Sequence, residues 1–149
     1  MYTHILISTD GSELAQHGVD HGLSLAKALG SKVTIVTATE PFPAAAAGAM
    51  GAWVPAPVDY DGYDAGQQEL AKGILSTAKA AAEKMGIEAD TVHVPNSRPA
   101  VAIIDTAQQH DCNLIVMASH GRRGLTKVLL GSQTSEVLVT ATIPVLVVR

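Results

Sequence analysis

The chain has 149 residues, 47% of them apolar, which predicts one domain spanning residues 1–149 around a core of ordinary size. Ten Lys and Arg against fourteen Asp and Glu give a net charge of −4, which disfavours binding to nucleic acid or an anionic membrane through overall charge. No apolar run approaches the roughly 18 residues that span a bilayer, and the N-terminus lacks the basic start of a signal peptide. The single cysteine, Cys112, cannot form an internal disulfide, which is typical of a reducing compartment. We therefore expect a cytoplasmic protein without nucleic-acid or membrane partners.

Five short apolar segments predict β-strands, at 2–9, 32–39, 88–94, 113–118 and 144–148. The first, fourth and fifth contain continuous apolar runs, as expected for parallel strands that are covered on both faces. The second and third mix Thr and His with Val, which favours positions nearer an edge of the sheet.

Four helices are predicted between these strands. Ser12 is suited to cap the first helix and Gly30 to end it. Pro99 is suited to the first position of the third helix, and Ser132 to the cap of a short fourth helix that ends before Pro144. The apolar faces of the first two helices follow the spacing of Ala15, Val19, Leu23 and Ala26, and of Leu70, Ile74, Ala78, Ala81 and Met85. Alternating strands and helices predict an α/β fold of three layers with a five-stranded parallel sheet.

A long connection at 40–66 interrupts this alternation. It holds four of the seven prolines, four of the thirteen glycines and a run of four alanines, which predict a loop insertion. Phe42, Trp53, Tyr60 and Tyr63 lie in it, so the insertion differs from aromatic-poor solvated linkers. Two interpretations stay open: a lid or partner patch, or a loop folded onto its own domain.

The segment after the fourth strand is typical of a phosphate site. In an open parallel sheet, ligands bind at the carboxyl ends of the strands. Residues 119–131 contain three glycines and the cations Arg122, Arg123 and Lys127, and no acidic residue occurs from 112 through 135. Glycines permit close backbone approach, and the Gly131-Ser132 step leads into a helix N-terminus that favours negative charge.

Asp10 follows the first strand and adds a second kind of group. Its carboxylate only accepts hydrogen bonds and would repel a phosphate. Beside a phosphate it is therefore expected to bind ribose hydroxyls or a Mg²⁺ ion. A carboxylate and an anion site at neighbouring strand ends together indicate a nucleotide, although Asp10 could instead serve only the turn before the first helix. The sequence offers no paired carboxylates for acid and base roles and no convincing metal site. Ser119 and His120 are adjacent, and neighbours in a loop rarely hold a nucleophile and base within reach.

Segments 5–12 and 113–121, and the pair 131–132 followed by 143–148, resemble the universal stress protein family. ATP-binding members of that family carry Gly-x-x-Gly, nine residues, and then Gly-Ser or Gly-Thr. Here Gly121 is the second glycine, residues 122–130 form the spacer and Gly131-Ser132 completes the pattern, whereas Ala118 replaces the first glycine.

The resemblance implies a Rossmann-like fold that binds ATP, with Mg²⁺, at the carboxyl edge of the sheet. Adenosine would be lined by Ser8, Thr9 and Asp10 and flanked by Ala38 and Met117. The phosphates would be wrapped by Ala118, His120, Gly121 and Arg122 on one side and by Gly131, Ser132, Gln133 and Thr134 on the other.

The resemblance also implies a homodimer that pairs the last strands, Pro144 to Arg149, and a stress-response or regulatory module. No catalytic residue is assigned, and any ATP hydrolysis is expected to be slow. Ala118 leaves open one alternative, a dimeric interaction scaffold that binds no nucleotide. A variant that binds AMP or cyclic AMP also stays open, because the loop indicates phosphate more surely than the number of phosphates.

Overall fold

The computed structural model describes residues 1–43, 59–121 and 129–149. Their elements alternate along the chain in the predicted β-α-β-α-β-α-β-α-β order. The strands are β1 (His4–Ser8), β2 (Lys32–Ala38), β3 (Ala89–Val94), β4 (Leu114–Ala118) and β5 (Val145–Val148). The helices are α1 (Glu13–Leu29), α2 (Tyr60–Lys84), α3 (Pro99–Gln109) and α4 (Ser132–Thr140).

All five strands are parallel and lie in the order β3-β2-β1-β4-β5. Helices α1 and α2 pack on one face of this sheet, and α3 and α4 pack on the other. The predicted three-layer α/β fold is therefore confirmed. The winding reverses between β1 and β4, which are neighbours, so the loops after these two strands meet at one edge.

Strands β1 and β4 form the centre of the core because their apolar runs are covered from both sides. Ile5, Leu6 and Ile7 are fully buried, and every residue of β4 is buried. Helix α1 closes over them with the predicted ends: Ser12 Oγ accepts from the amide of Ala15 at 3.2 Å, and Gly30 ends the helix with a φ of 67°. A glycine suits that left-handed position because it has no Cβ.

Two predictions about the outer elements are wrong. Among the described strands β5 lies at an edge, as the expected pairing of Pro144 to Arg149 requires, but its two faces are not both covered, because Leu146 is 40% exposed. Strand β3 forms the opposite edge as expected, but β2 is interior and buries Thr34 and Thr37. The prediction for β2 failed because it took the polar side chains of Thr34 and Thr37 as a sign of exposure, whereas both are buried.

Helix α2 differs from the prediction in its first residue and in the face that it buries. It begins at Tyr60, so the last seven residues of the predicted insertion are helical. Its buried positions are shifted by one residue from the predicted face, with Ala78 common to both: they are Ala71, Leu75, Ala78 and Ala82. The small alanines let the helix approach the sheet closely, and this packing sets the rotation rather than the size of the apolar side chains.

The two ends of the insertion that the structure describes are joined by aromatic contacts. Phe42 packs edge-on against Tyr60 and Tyr63, and the hydroxyl of Tyr63 donates to the backbone oxygen of Glu40 at 3.1 Å. Trp53 and the rest of 44–58 lie outside the described residues, so both interpretations of the insertion stay open. Within the described ranges, no helix has the length and apolar character needed to cross a membrane.

Candidate functional site

A cleft of about 400 Å³ lies at the carboxyl edge of the sheet, where the winding reverses. Every predicted site residue that the structure describes lines it. These are Ser8, Thr9, Asp10, Ala38, Met117, Ala118, His120, Gly121, Gly131, Ser132, Gln133 and Thr134. Arg122, the remaining predicted residue, lies outside the described residues, as do Arg123 and Lys127.

The loop after β1 is held in place by its own hydrogen bonds. The amide of Thr9 donates to the oxygen of Val36 at 3.0 Å, which ties the end of β1 to β2. Asp10 Oδ1 accepts from the amide of Ser12 at 2.9 Å, and Thr9 Oγ1 accepts from the amide of Gly11 at 3.1 Å. The Asp10 carboxylate is thus positioned at the cleft while it also serves the turn before α1.

Two glycines allow close contacts between chain segments at the cleft. One contact is with the Asp10 carboxylate, and the other is with the start of the loop after β4. A side-chain carbon at Gly121 would overlap the Asp10 carboxylate, and one at Gly131 would lie 3.2 Å from the Cα of His120. The amide of Gly131 donates to the oxygen of Ser119 at 2.8 Å, so the end of the loop returns to its beginning. These glycines therefore have a packing role within the protein, in addition to the backbone approach that sequence reasoning assigned to them.

Ala118 occupies a strand position where alanine is compatible with the backbone. It is the last residue of β4 and pairs with Val148. Among the described non-glycine residues, only Asn96 and Asp111 have a positive φ, so Ala118 has the negative φ at which backbone approach remains open. Its carbonyl accepts from the hydroxyl of buried Thr134 at 3.1 Å, which holds the start of α4 against β4.

The N-terminus of α4 supplies donors to the cleft. The N-cap is Gly131 without a side-chain cap, so the expectation that Ser132 caps this helix is wrong: Ser132 is its first residue. The first bond of the helix runs from the amide of Ser135 to the oxygen of Gly131, so the amides of Ser132, Gln133 and Thr134 have no acceptor within the helix. Ser132 is exposed, and its hydroxyl makes no hydrogen bond among the described residues, so it is accessible to a ligand.

The sequence reasoning assigned Ala38 to the cleft but missed the rest of the wall that β2 and α2 form. Leu70 and Ile74 belong to the face that was expected to pack on the sheet, but they line the cleft, and Leu70 is 40% exposed. Thr37 also lines it, and its buried Oγ1 has no hydrogen-bond partner among the described residues. The sequence did contain a signal for this wall: the apolar residues of α2, which include Leu70 and Ile74, cover a wider face than its buried positions alone.

Thr39, the residue after β2, forms a polar pair with His93 on β3. Thr39, which lines the cleft, places its Oγ1 at 2.8 Å from His93 Nε2. Burial lowers the pKa of His93, which favours its neutral form at pH 7. This side of the cleft therefore adds hydrogen-bonding groups without adding a positive charge.

The start of α3 closes the cleft from the other face of the sheet. Pro99, Ala102 and Ile103 line it. Gln133 Oε1 accepts from the amide of Ala100 at 2.9 Å, and Arg98 forms an ion pair with Glu136 at 2.9 Å. These contacts join α3 to α4 across 33 and 38 residues, and no local sequence pattern predicts them.

The Ser119 and His120 side chains are closer than sequence reasoning expected. Ser119 Oγ lies 3.1 Å from His120 Nδ1, within hydrogen-bond distance, so the argument from adjacency was wrong. Ser119 is nevertheless buried and does not line the cleft. In the part of the chain that the structure describes, no cluster of three or more His, Cys, Asp or Glu side chains is arranged to hold a metal ion.

This architecture defines a Rossmann-like α/β protein with a ligand-sized cleft at its topological switch point. The model of the universal stress protein family matches residues 1–149. The chain therefore belongs to that family.

Curated relatives extend over the whole chain. Universal stress protein MJ0531 of Methanocaldococcus jannaschii is 31% identical over 151 aligned positions that cover 100% of this chain and 83% of that protein. Universal stress protein YxiE of Bacillus subtilis is 30% identical, and the match covers 100% of both chains.

Solved structures share the fold. That of the protein MJ0577 superposes with a TM-score of 0.79 at 26% identity and covers 99% of this chain and 96% of that one. A universal stress protein in complex with cAMP has a TM-score of 0.71 at 23% identity and covers 99% and 97%. One from Archaeoglobus fulgidus in complex with dAMP has a TM-score of 0.70 at 22% identity and covers 99% and 98%.

Proposed function

We propose that this protein binds an adenine nucleotide, ATP with Mg²⁺, in the cleft and acts as a dimeric stress-response or regulatory module. The observation that carries the proposal is the start of α4, where three backbone amides without a helical acceptor border the cleft. Such a helix start attracts phosphate through its amides and its dipole. Two solved relatives with this fold hold adenine nucleotides, cAMP and dAMP.

The remaining walls suit the other parts of a nucleotide. The volume of about 400 Å³ lies in the range of small-molecule sites, about 300–1,000 Å³. The Asp10 carboxylate is an acceptor for ribose hydroxyls, and the apolar side chains of Met117, Leu70 and Ile74 offer a surface to a base. The negative φ of Ala118 is compatible with alanine at the position of the family's first glycine.

Magnesium is compatible with these donors. Hard oxygen ligands suit Mg²⁺, which keeps several waters and binds through one or two carboxylates together with substrate phosphates. Asp10 and Glu40 are the carboxylates that line the described cleft. The Asp10 carboxylate and a phosphate repel each other because both are negatively charged. A bound Mg²⁺ ion would reduce this repulsion.

We also propose that this site does not turn ATP over rapidly. Fast phosphoryl transfer needs a group that orients the attacking nucleophile and a cation fixed against the transferred phosphate. Neither role is assigned to a described residue, and Arg98 is paired with Glu136. We expect ATP turnover well below about 1 per second, the lower end of ordinary enzymes, and a rate above that would contradict this part of the proposal.

A calorimetric titration tests the ligand, with ATP, AMP, cAMP and adenosine as separate arms. The variant Ser132→Glu places a negative charge at the exposed start of α4, where an acidic residue is favourable for the helix but repels phosphate. The matched control is Ser76→Glu, which makes the same change on the exposed surface of α2.

The proposal predicts saturable ATP binding to the wild-type protein and to Ser76→Glu, and at least tenfold weaker binding to Ser132→Glu. Equal affinities for the two variants would place the phosphates elsewhere. Absence of binding in all four arms would contradict the proposal and favour the second candidate, an interaction scaffold without nucleotide, for which Ala118 in place of the family's glycine is the specific observation.

The dimer is proposed at the outer edge of β5, Pro144 to Arg149. Among the strands that the structure describes, only β4 pairs with β5, and Leu146 is 40% exposed. An unpaired apolar edge favours pairing with a second strand, and two copies satisfy it symmetrically. Sedimentation velocity is expected to show a dimer for the wild-type protein and a monomer for Leu146→Lys, whereas a monomeric wild type would contradict the assignment.

A further inference from the structure

The side chain of Arg149, directly after β5, is a cation on the face of the sheet that α4 covers. Arg149 is exposed, and among the described residues its guanidinium makes no hydrogen bond and no ion pair. Val145 and Val147 of β5 pack on the face of the sheet that carries α3 and α4. Because side chains alternate between the two faces of a strand, Arg149 continues the row of Val145 and Val147.

The end of α4 offers acceptors on the same face. The amide of Ala141 donates to the oxygen of Val137, and no described backbone amide donates to the oxygens of Leu138, Val139 and Thr140. A helix end carries partial negative charge that a cation stabilises, but the last turn of α4 contains no basic residue. Leu138 and Val139 are 42% and 87% exposed, so the described residues leave this turn largely uncovered.

Within one copy, Arg149 and the end of α4 lie at opposite ends of β5. Helix α4 connects β4 to its parallel neighbour β5, so it ends at the amino edge of the sheet, four residues before Val145 begins the strand. The four steps from Val145 to Arg149 span about 13 Å along the strand. Arg149 is therefore carried away from the helix end of its own copy.

A second copy brings the two groups together. Two copies that pair the same edge of β5 about a two-fold axis perpendicular to the sheet run antiparallel there. Opposed residues in such a pair have their side chains on one face, so odd-numbered residues of β5 oppose odd-numbered residues. The middle of the strand then allows pairing centred on Leu146 or on Val147. Either register places Arg149 of one copy opposite Ile143 or Val145 of the other, close to the end of that copy's α4.

We propose that the guanidinium of Arg149 donates, across the paired β5 strands, to the carbonyl oxygens at the end of α4 in a second copy of this chain. The inference rests on the dimer of the proposed function and deepens it, because it adds a charged contact between a strand end and a helix end to the strand pairing. A guanidinium suits this place, since it is always charged and its five donors serve several carbonyl oxygens at once. The two-fold axis makes the contact twice in each dimer.

The test measures the dissociation constant of the dimer by sedimentation equilibrium, for the wild-type protein and for Arg149→Gln. Loss of two contacts between a cation and a helix end is expected to weaken the dimer about three- to thirtyfold. Lys79→Gln is the matched control. It removes one positive charge from an exposed position of α2, a helix that packs on β2 and β3 rather than β5, and is expected to leave the dimer unchanged.

A second variant, Thr140→Lys, separates this contact from a general effect of charge. Thr140 is exposed in the last turn of α4, where a lysine is favourable for the helix, so the variant is expected to fold. The lysine occupies the helix end and repels Arg149 of the partner subunit, so the dimer should weaken at least about threefold. In the Arg149→Gln background the same change should alter the dissociation constant less than about twofold, because the cation that it repels is gone.

The outcomes distinguish the contact from the strand pairing itself. A dimer that Arg149→Gln leaves at wild-type strength, or additive effects of the two substitutions, would overturn the inference while the pairing of β5 stood. A monomeric wild-type protein would overturn the proposed dimer and this inference together.

Discussion

Replacing Gly121 by alanine tests how closely the two strand-end loops approach each other. The added Cβ would overlap the Asp10 carboxylate, so that carboxylate must move. Its Oδ1 is held by the amide of Ser12 at 2.9 Å, and movement weakens this bond. The backbone of Gly121 itself tolerates alanine because its φ is not in the left-handed region.

The size of the effect follows from two opposing contributions. Loss of a hydrogen bond to a charged group lowers the free energy of unfolding by about 1.5–3 kcal/mol. Replacing glycine by alanine restricts the unfolded chain and returns about 0.4–1 kcal/mol. We therefore expect Gly121→Ala to be destabilised by about 1–2 kcal/mol, with the displaced carboxylate lowering ATP affinity about tenfold.

The assay is urea unfolding followed by calorimetric titration with ATP. Gly73→Ala is the matched control. Gly73 lies at an exposed position in the middle of α2, and a Cβ there meets no atom within 4 Å. There alanine is expected to raise the free energy of unfolding by up to about 1 kcal/mol through helix propensity. If Gly121→Ala were as stable as Gly73→Ala and bound ATP like the wild type, the proposed contact between the loops would be refuted.

Three further predictions concern stability. Burial raises the pKa of the Cys112 thiol from 9.0 to about 11, so between these pH values the folded state retains a proton that the unfolded chain loses. The free energy of unfolding should therefore fall by up to about 2–3 kcal/mol as the pH rises from 9 to 11. In urea titrations, Cys112→Ala should lack this part of the pH dependence. Thr37→Val removes a buried hydroxyl without a described partner, so chemical denaturation should show a gain of about 1 kcal/mol, and a loss of that size would show that the hydroxyl is bonded. Ser12→Ala removes the cap of α1 and should lower the free energy of unfolding by about 1 kcal/mol, whereas an unchanged value would deny the cap its role.

The sequence identifies the elements whose signals are local. Continuous apolar runs locate β1 and β4, and Ser12 and Gly30 mark the ends of α1, because capping and strand burial depend on a few neighbouring residues. The loops after β1 and β4 could be assigned to one edge, because parallel strands bring their carboxyl ends together.

The features that the sequence leaves undetermined depend on packing between distant segments. The rotation of α2 places Leu70 and Ile74 at the cleft, and it follows from the fit of small alanines against the sheet. The contact between Gln133 and Ala100 spans 33 residues and arises only when α3 and α4 pack together. A local pattern cannot contain such information, because it resides in the arrangement of the helices on the sheet.

The most direct test of the nucleotide site is a titration of the labelled protein with ATP and Mg²⁺, followed through its backbone amide NMR signals. The account predicts saturable shifts that are largest at Asp10, Gly121, Ser132 and Gln133, the residues that line the cleft on both sides of the switch point. Signals that stay unchanged at millimolar ATP, or that shift only on surfaces away from this cleft, would contradict it.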